Sequence, residues 1–401
     1  MGGGELSEDA DNLNPAIRRT RHAKSTKHDS RRNNLRTTLE VVSTQGATSR
    51  AEISRQTGLT RAAVSSLVAE LIDSGLLREL GPGTSAGGKP PTLLGINERG
   101  RDIIAVDLGT RPFRAALVDL TGRIHERVES PDLAAFGLLA RDSAIALISQ
   151  LVDRSRAPVL GIGVGTPGVV DPGGRVVEAA NLDWHGLELG AELRARFQLP
   201  VSITNDAQAA ALAEFRRHSI DRENLIVVKL GRGIGAGLVI RGTLHRGDHA
   251  AAGEIGHVRV VEGGKPCTCG NSGCLETIAS VPAILRAVGA DPDRHPWDAL
   301  ALAGIAGEEP VRRALAEAGR QLGVVLASLV ALLDVSHIVL APELLNAGDV
   351  LADEVRASLR RRVLPATADL IEVEVSPLGS DLVLAGAASS VLADRLGVVL
   401  R

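Results

Sequence analysis

The stretch IIAVDLGTRPFRAALVDLTGR, residues 103–123, returns in altered form as LIVVKLGRGIGAGLVIRGTL at residues 225–244. The two copies align on V-D-L-G and V-K-L-G, and each shows a strand, a glycine turn, an apolar strand and a second glycine turn. Apolar strands and alanine-rich helices alternate through the rest of the region, which is typical of an α/β fold. We therefore predict that residues 99–401 form two lobes, each opening with a β-hairpin, with a cleft between them.

The glycines of the second copy do not indicate a dinucleotide site. They stand at positions 231, 233, 235 and 237, but the strand GLVI follows them. A dinucleotide-binding glycine loop has to lead into a helix. The glycines therefore predict a tight turn in a hairpin.

The first unit of the chain, residues 31–98, has the element order of a winged helix-turn-helix. Helices are predicted over RRNNLRTTLEVVST, TSRAEISRQTG and TRAAVSSLVAELIDSG. Thr48 or Ser49 is the candidate N-cap of the second helix, Gly58 its stop, and Thr60 the N-cap of the third. LLREL and TLLGIN predict two strands, which the loop GPGTSAGGKPP joins.

The third helix has an exposed face that suits the major groove of DNA. Its side chains are short or basic, and the N–H groups at its N-terminus favour phosphate. The stiff loop of the wing could enter a minor groove. We expect DNA contacts from Arg50, Thr60, Arg61, Ser65, Ser66 and Lys89. The alternative is a three-helix protein-interaction module with a solvated polar face.

Charge is distributed unevenly along the chain. The net charge is −3, yet residues 18–61 carry 11 Lys or Arg against three acids. This excess suggests a polyanionic partner, although an arginine-rich composition would also explain it. Residues 1–30 indicate a flexible basic tail. Since the chain has only four Phe, two Trp and no Tyr, a base-stacking surface for single strands is excluded, and double-stranded DNA is the expected nucleic acid.

The cysteines form one cluster with a histidine, spaced H-x9-C-x-C-x4-C: His257, Cys267, Cys269 and Cys274. One imidazole and three thiolates suit tetrahedral Zn²⁺, and a site filled by four protein ligands would be structural. Three free thiols on a loop are the alternative. The clustering, the lack of a secretory signal and a longest apolar run of about a dozen residues, where a bilayer needs about 20, predict a cytoplasmic protein without a membrane span.

Polar residues near this cluster suit the hydroxyls of a sugar. Asn205 and Asp206 open the predicted helix in TNDAQAAALAE, Glu254 and His257 come from AGEIGH, and Glu276 follows the last cysteine. Carboxylates and amides can bind vicinal hydroxyls. A helix cap for the first two and a surface carboxylate for Glu254 are the ordinary alternatives.

The sequence resembles the ROK family of repressors, open reading frames and sugar kinases. VDLG, GIGVGTPGVVD, TNDAQAAALAE, GRGIGAG, HRGDHAAAGEIGH and CTCGNSGCLE match that family in order between about Ile103 and Leu396. With a winged helix-turn-helix before it, the chain is similar to xylose and N-acetylglucosamine regulators. The resemblance implies an actin/hexokinase-like ATPase fold. It also implies a sugar pocket lined by Asn205, Asp206, Glu254, His257 and Glu276, in which Asp206 is the base in kinase members.

The sequence departs from the kinase members of the family at their nucleotide elements. Those kinases read D-x-G-G-T-K in the first hairpin turn, where this chain has Thr110, Arg111 and Pro112. Their G-T-G turn is G-R-G here at 231–233, and their adenosine-side Gly-Gly is Ala-Pro at 341–342. Side chains at these positions block backbone approach to phosphate, and proline removes a donor. Because phosphoryl transfer depends on positioning phosphates and Mg²⁺, we predict that the protein is not an enzyme.

These patterns predict a DNA-binding transcriptional regulator, typically a repressor, that senses a sugar or sugar derivative in its cleft. It would bind operator DNA as a homodimer or homotetramer. One alternative is an ATP-dependent hexose kinase with an appended DNA-binding domain. Another is a ligand-independent DNA-binding or scaffold protein with a vestigial cleft. In a variant of the main hypothesis, Arg111 and Arg232 accept the phosphate of a phosphorylated sugar.

Overall fold

The computed structural model describes residues 27–84, 90–132, 135–218, 222–290, 308–341 and 350–398. Its helices are α1 Lys27–Gln45, α2 Arg50–Thr57, α3 Arg61–Asp73, α4 Gly137–Arg154, α5 Leu189–Phe197, α6 Asp206–His218, α7 Glu276–Ala279, α8 Val281–Ala287, α9 Glu309–Leu333, α10 Val350–Arg360, α11 Pro365–Ala368 and α12 Leu382–Leu396. Its strands are β1 Thr48–Ser49, β2 Leu77–Pro82, β3 Thr92–Ile96, β4 Asp102–Asp107, β5 Arg114–Asp119, β6 Ile124–Glu129, β7 Val159–Thr166, β8 Val169–Val170, β9 Val176–Ala179, β10 Trp184–Leu187, β11 Val201–Asn205, β12 Leu225–Leu230, β13 Ile234–Ile240, β14 Thr243–His245, β15 His337–Leu340 and β16 Glu372–Val375.

The first unit has the predicted three helices followed by a β-hairpin. Ser49 caps α2 by accepting a hydrogen bond from the Glu52 N–H at 3.2 Å, and Gly58 ends that helix with φ 70°. Thr60 caps α3 through the N–H of Ala63. One strand was not predicted, since β1 pairs with β3 and widens the hairpin to three strands in the order β1-β3-β2. We call α1 to β3 the head.

Two five-stranded sheets with the same strand order follow the head. The first is β11-β7-β4-β5-β6 and the second is β14-β13-β12-β15-β16. In each sheet an antiparallel meander is extended by two parallel strands. The repeated V-D-L-G and V-K-L-G segments form the equivalent strands β4 and β12, so the internal repeat predicted from the sequence is confirmed.

Two helices lie between the sheets and connect them. Helix α6 begins directly after β11 of the first sheet but packs on β12 and β13 of the second. Helix α12 comes from the end of the chain and packs on β4, β7 and β11 of the first. The two helices also pack against each other so closely that a Cβ on Gly386 would lie 1.8 Å from the carbonyl oxygen of Ala209. Helices α6 and α12 are therefore in close backbone contact near the start of each helix.

The head shares a hydrophobic cluster with the first lobe. Leu39, Val68 and Leu94 of the head belong to the same cluster as Ala387 and Val391 of α12. The end of α12 lies beside α1 and α3, where they line a cavity of about 440 Å³. The predicted boundary between residues 98 and 99 therefore lies within a continuous core and stays a prediction. Helix α1 begins at Lys27, inside the predicted tail, and residues 1–26 fall outside the described ranges.

By length and composition alone, one described helix could cross a bilayer. It is α9, of which half the most apolar window is buried inside the protein. Leu315, Leu322 and Leu326 of this helix are fully buried in the core of the second lobe. Long core helices satisfy the same criteria as membrane spans, so α9 is accounted for by packing.

Candidate functional site

A cavity of about 230 Å³ lies where the two lobes meet, lined by residues from both repeated hairpin turns. All five residues that the sequence assigned to a sugar line it: Asn205, Asp206, Glu254, His257 and Glu276. They come from the start of α6, from a short 3-10 turn at Ile255–His257 and from the first residue of α7. The fold therefore brings three separate sequence motifs to one cavity.

Asn205 uses its side chain to hold the backbone. Its amide donates to the carbonyl of Gly168 at 2.9 Å, and its Oδ1 accepts from the N–H groups of Ala207 and Gln208 at 2.9 and 3.1 Å. The helix-cap alternative is thus correct for Asn205, although the residue also faces the cavity. Its role in the site is to fix the start of α6.

Asp206 is held by a residue that the sequence analysis missed. Its Oδ1 accepts from the N–H of Ala207 at 2.8 Å, and its Oδ2 lies 3.2 Å from Nζ of Lys229. Lys229 is only 6 % exposed and also lines the cavity. The available signal was a lone lysine within the apolar strand LIVVKL, where a buried ammonium has to have a partner.

Glu254 and Glu276 offer the acceptors that face the cavity. Glu276 Oε2 accepts from the N–H of Ile234 at 3.1 Å. Among the described residues, the only contact found for the Glu254 carboxylate is with Nε2 of His257, 3.9 Å away. Burial, together with the charges of Asp206 and Glu276, raises the pKa of Glu254 to about 7. Glu254 is therefore a half-buried carboxylate that lines the cavity, and the surface-carboxylate alternative does not describe it.

The four predicted metal ligands meet at one point, with all their donor atoms within 4.8 Å of one another. Cys267 Sγ lies 3.6 Å from His257 Nδ1, and Cys269 Sγ lies 3.7 Å from Cys274 Sγ. A tetrahedron with Zn–S of about 2.3 Å and Zn–N of about 2.05 Å has edges of about 3.8 Å and 3.6 Å. The cluster therefore fits a metal of this size. Burial, together with the neighbouring sulfurs of Cys269 and Cys267, raises the pKa of Cys274 to about 12.

His257 serves the metal cluster and the cavity with different nitrogens. Its Nδ1 faces Cys267, while its Nε2 faces Glu254 on the cavity side. A ligand at Nδ1 fixes the ring proton on Nε2, which makes that nitrogen a hydrogen-bond donor toward the cavity. The two assignments made for His257 from the sequence are therefore compatible.

A second group of metal-type side chains has a different explanation. His218, His337 and Glu374 also bring their donor atoms within 4.8 Å. The guanidinium of Arg217 already contacts both Glu374, at 2.5 Å, and His218. The guanidinium of Arg217 thus already supplies the positive charge that these side chains attract. The cluster is an ion-pair network and not a metal site.

The acid of the first hairpin turn is locked by its own neighbours. Asp107 is fully buried, and its carboxylate accepts from the N–H of Gly109 at 2.9 Å and from Arg114 at 3.3 Å. Burial raises the pKa of this carboxyl, and Arg114 opposes that shift. Thr110 Oγ1 also lies 3.4 Å from Asp107 and bonds the carbonyl of Pro112 at 3.2 Å. The turn is therefore closed on itself.

The DNA-contact candidates fall into three groups in the head. Thr60, Arg61, Ser65 and Ser66 are exposed on or next to the first two turns of α3. Arg50 is half-buried and pairs with Glu79 of β2 at 3.0 Å, so it also ties α2 to the wing. Lys89 lies outside the described residues.

The family model described as "ROK family" matches residues 103–394, nearly three quarters of the chain.

The chain belongs to the ROK family.

A xylose repressor from Bacillus spizizenii is 29% identical over 377 residues, covering 91% of this chain and 96% of that protein. The crystal structure of a ROK family transcriptional regulator, a homolog of the E. coli Mlc protein, matches with a TM-score of 0.78 and 27% identity, covering 92% of this chain and 98% of that one. A ROK glucokinase from Streptomyces griseus, solved with glucose and AMPPNP, matches with a TM-score of 0.61 and 30% identity. The match covers 98% of the glucokinase chain and 72% of this chain.

The extents of these matches separate the two branches of the family. The regulator matches span the head and both lobes, whereas the kinase match leaves more than a quarter of this chain uncovered. The fold predicted from the resemblance, a winged helix-turn-helix followed by a two-lobed ROK domain, is therefore confirmed.

Proposed function

We propose that this ROK protein is a sugar-responsive, DNA-binding transcriptional regulator of the repressor type. The observation that carries the proposal is the match to ROK regulators over the whole described architecture, from the head to α12. The cavity supports it, because carboxylates and an imidazole face the space between the lobes. Relatives named as repressors and found in bacteria support a cytoplasmic location.

The path from the cavity to the head supports control of DNA binding by the sugar. Asp206 at the cavity is the first residue of α6, and α6 contacts α12 at Ala209 and Gly386. Gly397, the residue that caps the end of α12, lies beside Arg36 of the head. A sugar that binds the closed cleft better than the open one would shift this chain of contacts and change the orientation of the head.

We infer that the His257 and cysteine cluster holds a structural Zn²⁺. The donor set is typical of zinc, and all four positions are protein ligands, so the ion would fix a loop without activating water. The cluster contains both His257 and Cys274, and Cys274 lies two residues before Glu276. It therefore ties the two segments together, and Arg259 also bridges to Cys274 through the backbone. Zinc would therefore hold His257 and Glu276 at the cavity.

The regulator would act as a homodimer or higher oligomer on a two-fold symmetric operator. Leu332, in the last turn of α9, is 80 % exposed, and Leu370, two residues before β16, is 65 % exposed. Exposed large apolar side chains of the second lobe are candidates for a subunit interface.

Arg61 supplies the test of DNA recognition. We expect Arg61→Ala to weaken binding to a selected operator duplex by about 1–3 kcal/mol, because an exposed arginine at the start of α3 can contact a base. Fluorescence anisotropy on selected and scrambled duplexes measures this change. Arg313→Ala is the matched control, since Arg313 is exposed on α9 and pairs with Glu309 at 3.5 Å. Equal losses on both duplexes would make Arg61 a phosphate contact, and no loss on either would remove it from the interface.

Sugar control of DNA binding and kinase activity are tested on the same protein. For control of DNA binding, we expect D-glucose, D-xylose or N-acetyl-D-glucosamine to change operator affinity by about 5- to 150-fold. We expect turnover with ATP and Mg²⁺ to stay far below the roughly 1–100 s⁻¹ of kinases. The reason is that Asp107 is engaged by Arg114 and Asp206 by Lys229. Phosphorylation of any of these sugars at kinase rates would overturn the proposal, and sugars that bind nowhere would favour the scaffold alternative.

A further inference from the structure

Lys229 is a buried cation in an otherwise apolar strand. It stands in the stretch LIVVKL, which forms β12, and lies opposite Gly235 of β13 in the sheet. Its side chain reaches the cavity between the lobes, which it helps to line. A buried ammonium is costly unless anionic groups hold it, so the carboxylates around Lys229 define what it does.

One of these carboxylates belongs to Asp206. Its Oδ2 lies 3.2 Å from Nζ of Lys229, and both residues are buried. Its Oδ1 accepts from the N–H of Ala207 at 2.8 Å, so the second oxygen is held as well. Because Asp206 directly follows β11 of the first sheet, this ion pair joins the end of a first-lobe strand to the middle of a second-lobe strand.

A second buried acid, Asp107, lies beside the first. A Cβ on Gly109 would lie 2.5 Å from Oδ2 of Asp206 and 3.3 Å from Oδ1 of Asp107, so the two carboxylates approach the same point of the turn. Burial raises the pKa of Asp107, and the charges of Arg114 and then Lys229 lower it. The like charge of Asp206 raises it again. The ammonium of Lys229 therefore acts on both acids.

The charges of this group balance. Arg114 lies 3.3 Å from Asp107, opposite which it stands in the pairing of β4 with β5. With the ammonium beside Asp206, two carboxylates thus face two cations, of which only Lys229 comes from the second lobe. Without Lys229 the same two carboxylates would keep one cation. Neighbouring carboxylates with an excess negative charge attract Mg²⁺, which prefers oxygen ligands.

We propose that Lys229 is a positioning residue that substitutes for a divalent cation: its ammonium holds Asp206 beside Asp107 and against β12. The sugar side of the cavity is then set by the chain itself. An ammonium attached to a strand cannot dissociate, whereas Mg²⁺ bound by carboxylates and water exchanges with the solvent. The inference rests on the proposed function only where sugar affinity is concerned.

Calorimetry with Mg²⁺ on the full-length protein tests the charge balance without any sugar. Mg²⁺ is the probe because it takes oxygen ligands and not the thiolates of the cysteine cluster. We expect Lys229→Met to bind Mg²⁺ at least about 10-fold more tightly than the wild type, since the change removes a cation beside two carboxylates. Adding Asp206→Asn to Lys229→Met should abolish that gain. Lys265→Met removes an exposed lysine that does not line the cavity and should leave Mg²⁺ binding unchanged.

Sugar affinity tests the positioning role. Of D-glucose, D-xylose and N-acetyl-D-glucosamine, the sugar that the wild type binds is measured with and without Mg²⁺. Without Mg²⁺, we expect Lys229→Met to bind it about 10- to 100-fold more weakly, because Asp206 loses the partner that fixes its Oδ2. Saturating Mg²⁺ should restore part of this affinity in Lys229→Met and change nothing in the wild type.

The outcomes separate this inference from the proposed function. Unchanged Mg²⁺ affinity in Lys229→Met would overturn the inference, and so would a loss of sugar affinity that Mg²⁺ does not restore. If Lys229→Met is too unstable for calorimetry, Mg²⁺ should raise its melting temperature but not that of the double variant with Asp206→Asn, and no rise would again overturn the inference. If the wild type binds none of the sugars, the proposed function fails, while the Mg²⁺ measurement still decides the role of Lys229.

Discussion

Cys269→Ser is expected to lower the metal affinity of the protein by more than about 100-fold and to weaken its sugar affinity, while operator binding persists. Even changes to groups around metal ligands cost 10- to 100-fold, and serine oxygen is a much poorer zinc ligand than a thiolate. Cys269 is the most informative of the three cysteines because it is exposed, whereas Cys274 is buried. Its substitution therefore removes a ligand without opening a cavity in the core.

Sugar affinity should fall with the metal because the cluster closes the loop that precedes Glu276. The N–H of Leu275 donates to the carbonyl of Val258 at 2.9 Å, and Arg259 bridges to Cys274. Without the ion, the segment before Glu276 would keep only its backbone bonds and the buried side chain of Leu275. The head lies far along the chain from this loop, and neither its helix caps nor the cluster that it shares with α12 includes any residue of the loop.

Metal content by mass spectrometry, sugar affinity by calorimetry and operator affinity by anisotropy measure the three effects. Thr268→Ser is the matched control, since Thr268 lies in the same loop and lines the same cavity without being a ligand. Full retention of zinc in Cys269→Ser would refute the ligand assignment. Loss of zinc with unchanged sugar affinity would keep the metal site but refute its role in positioning Glu276.

Features encoded over short distances in the sequence were predicted well. The caps at Ser49 and Thr60, the stop at Gly58 and the hairpin repeat depend on neighbouring residues, and the structure confirms each of them. The cysteine spacing likewise brought the four donor groups together. In all these cases the residue types and their spacing determine the local geometry directly.

Features that depend on distant parts of the chain could not be predicted in the same way. The pairing of Asp206 with Lys229 joins the start of a helix to the middle of a strand. The contact between Ala209 and Gly386 joins segments that are far apart in sequence, and so does the packing of α12 on the first sheet. No local period or motif encodes such contacts, since they follow from how the two lobes pack.

Glu254→Gln is expected to weaken sugar binding by about 10- to 100-fold without lowering the stability of the unliganded protein. Above its raised pKa of about 7, Glu254 is a charged acceptor, so the measurement is made at higher pH. A hydrogen bond to a charged acceptor contributes about 1.5–3 kcal/mol, and the amide keeps the shape of the carboxylate but loses its charge. Asn205 is a poorer choice for this test, because its side chain caps α6 and its loss would also cost helix stability of about 1 kcal/mol. Calorimetry with D-glucose, D-xylose and N-acetyl-D-glucosamine measures the sugar affinity, and a thermal melt of the unliganded protein measures its stability.

The reason for the unchanged stability is the surroundings of Glu254. Among the described residues its carboxylate contacts only His257, and it stands near the like charges of Asp206 and Glu276. Removing a partly buried charge beside two others relieves repulsion in the empty cavity. Glu178→Gln is the matched control, since Glu178 lines the same cavity but is exposed, and water can replace its contacts. A lower melting temperature for Glu254→Gln would show that the carboxylate supports the fold, and an equal effect of both variants on sugar affinity would show that the cavity responds to net charge instead of to one placed acceptor.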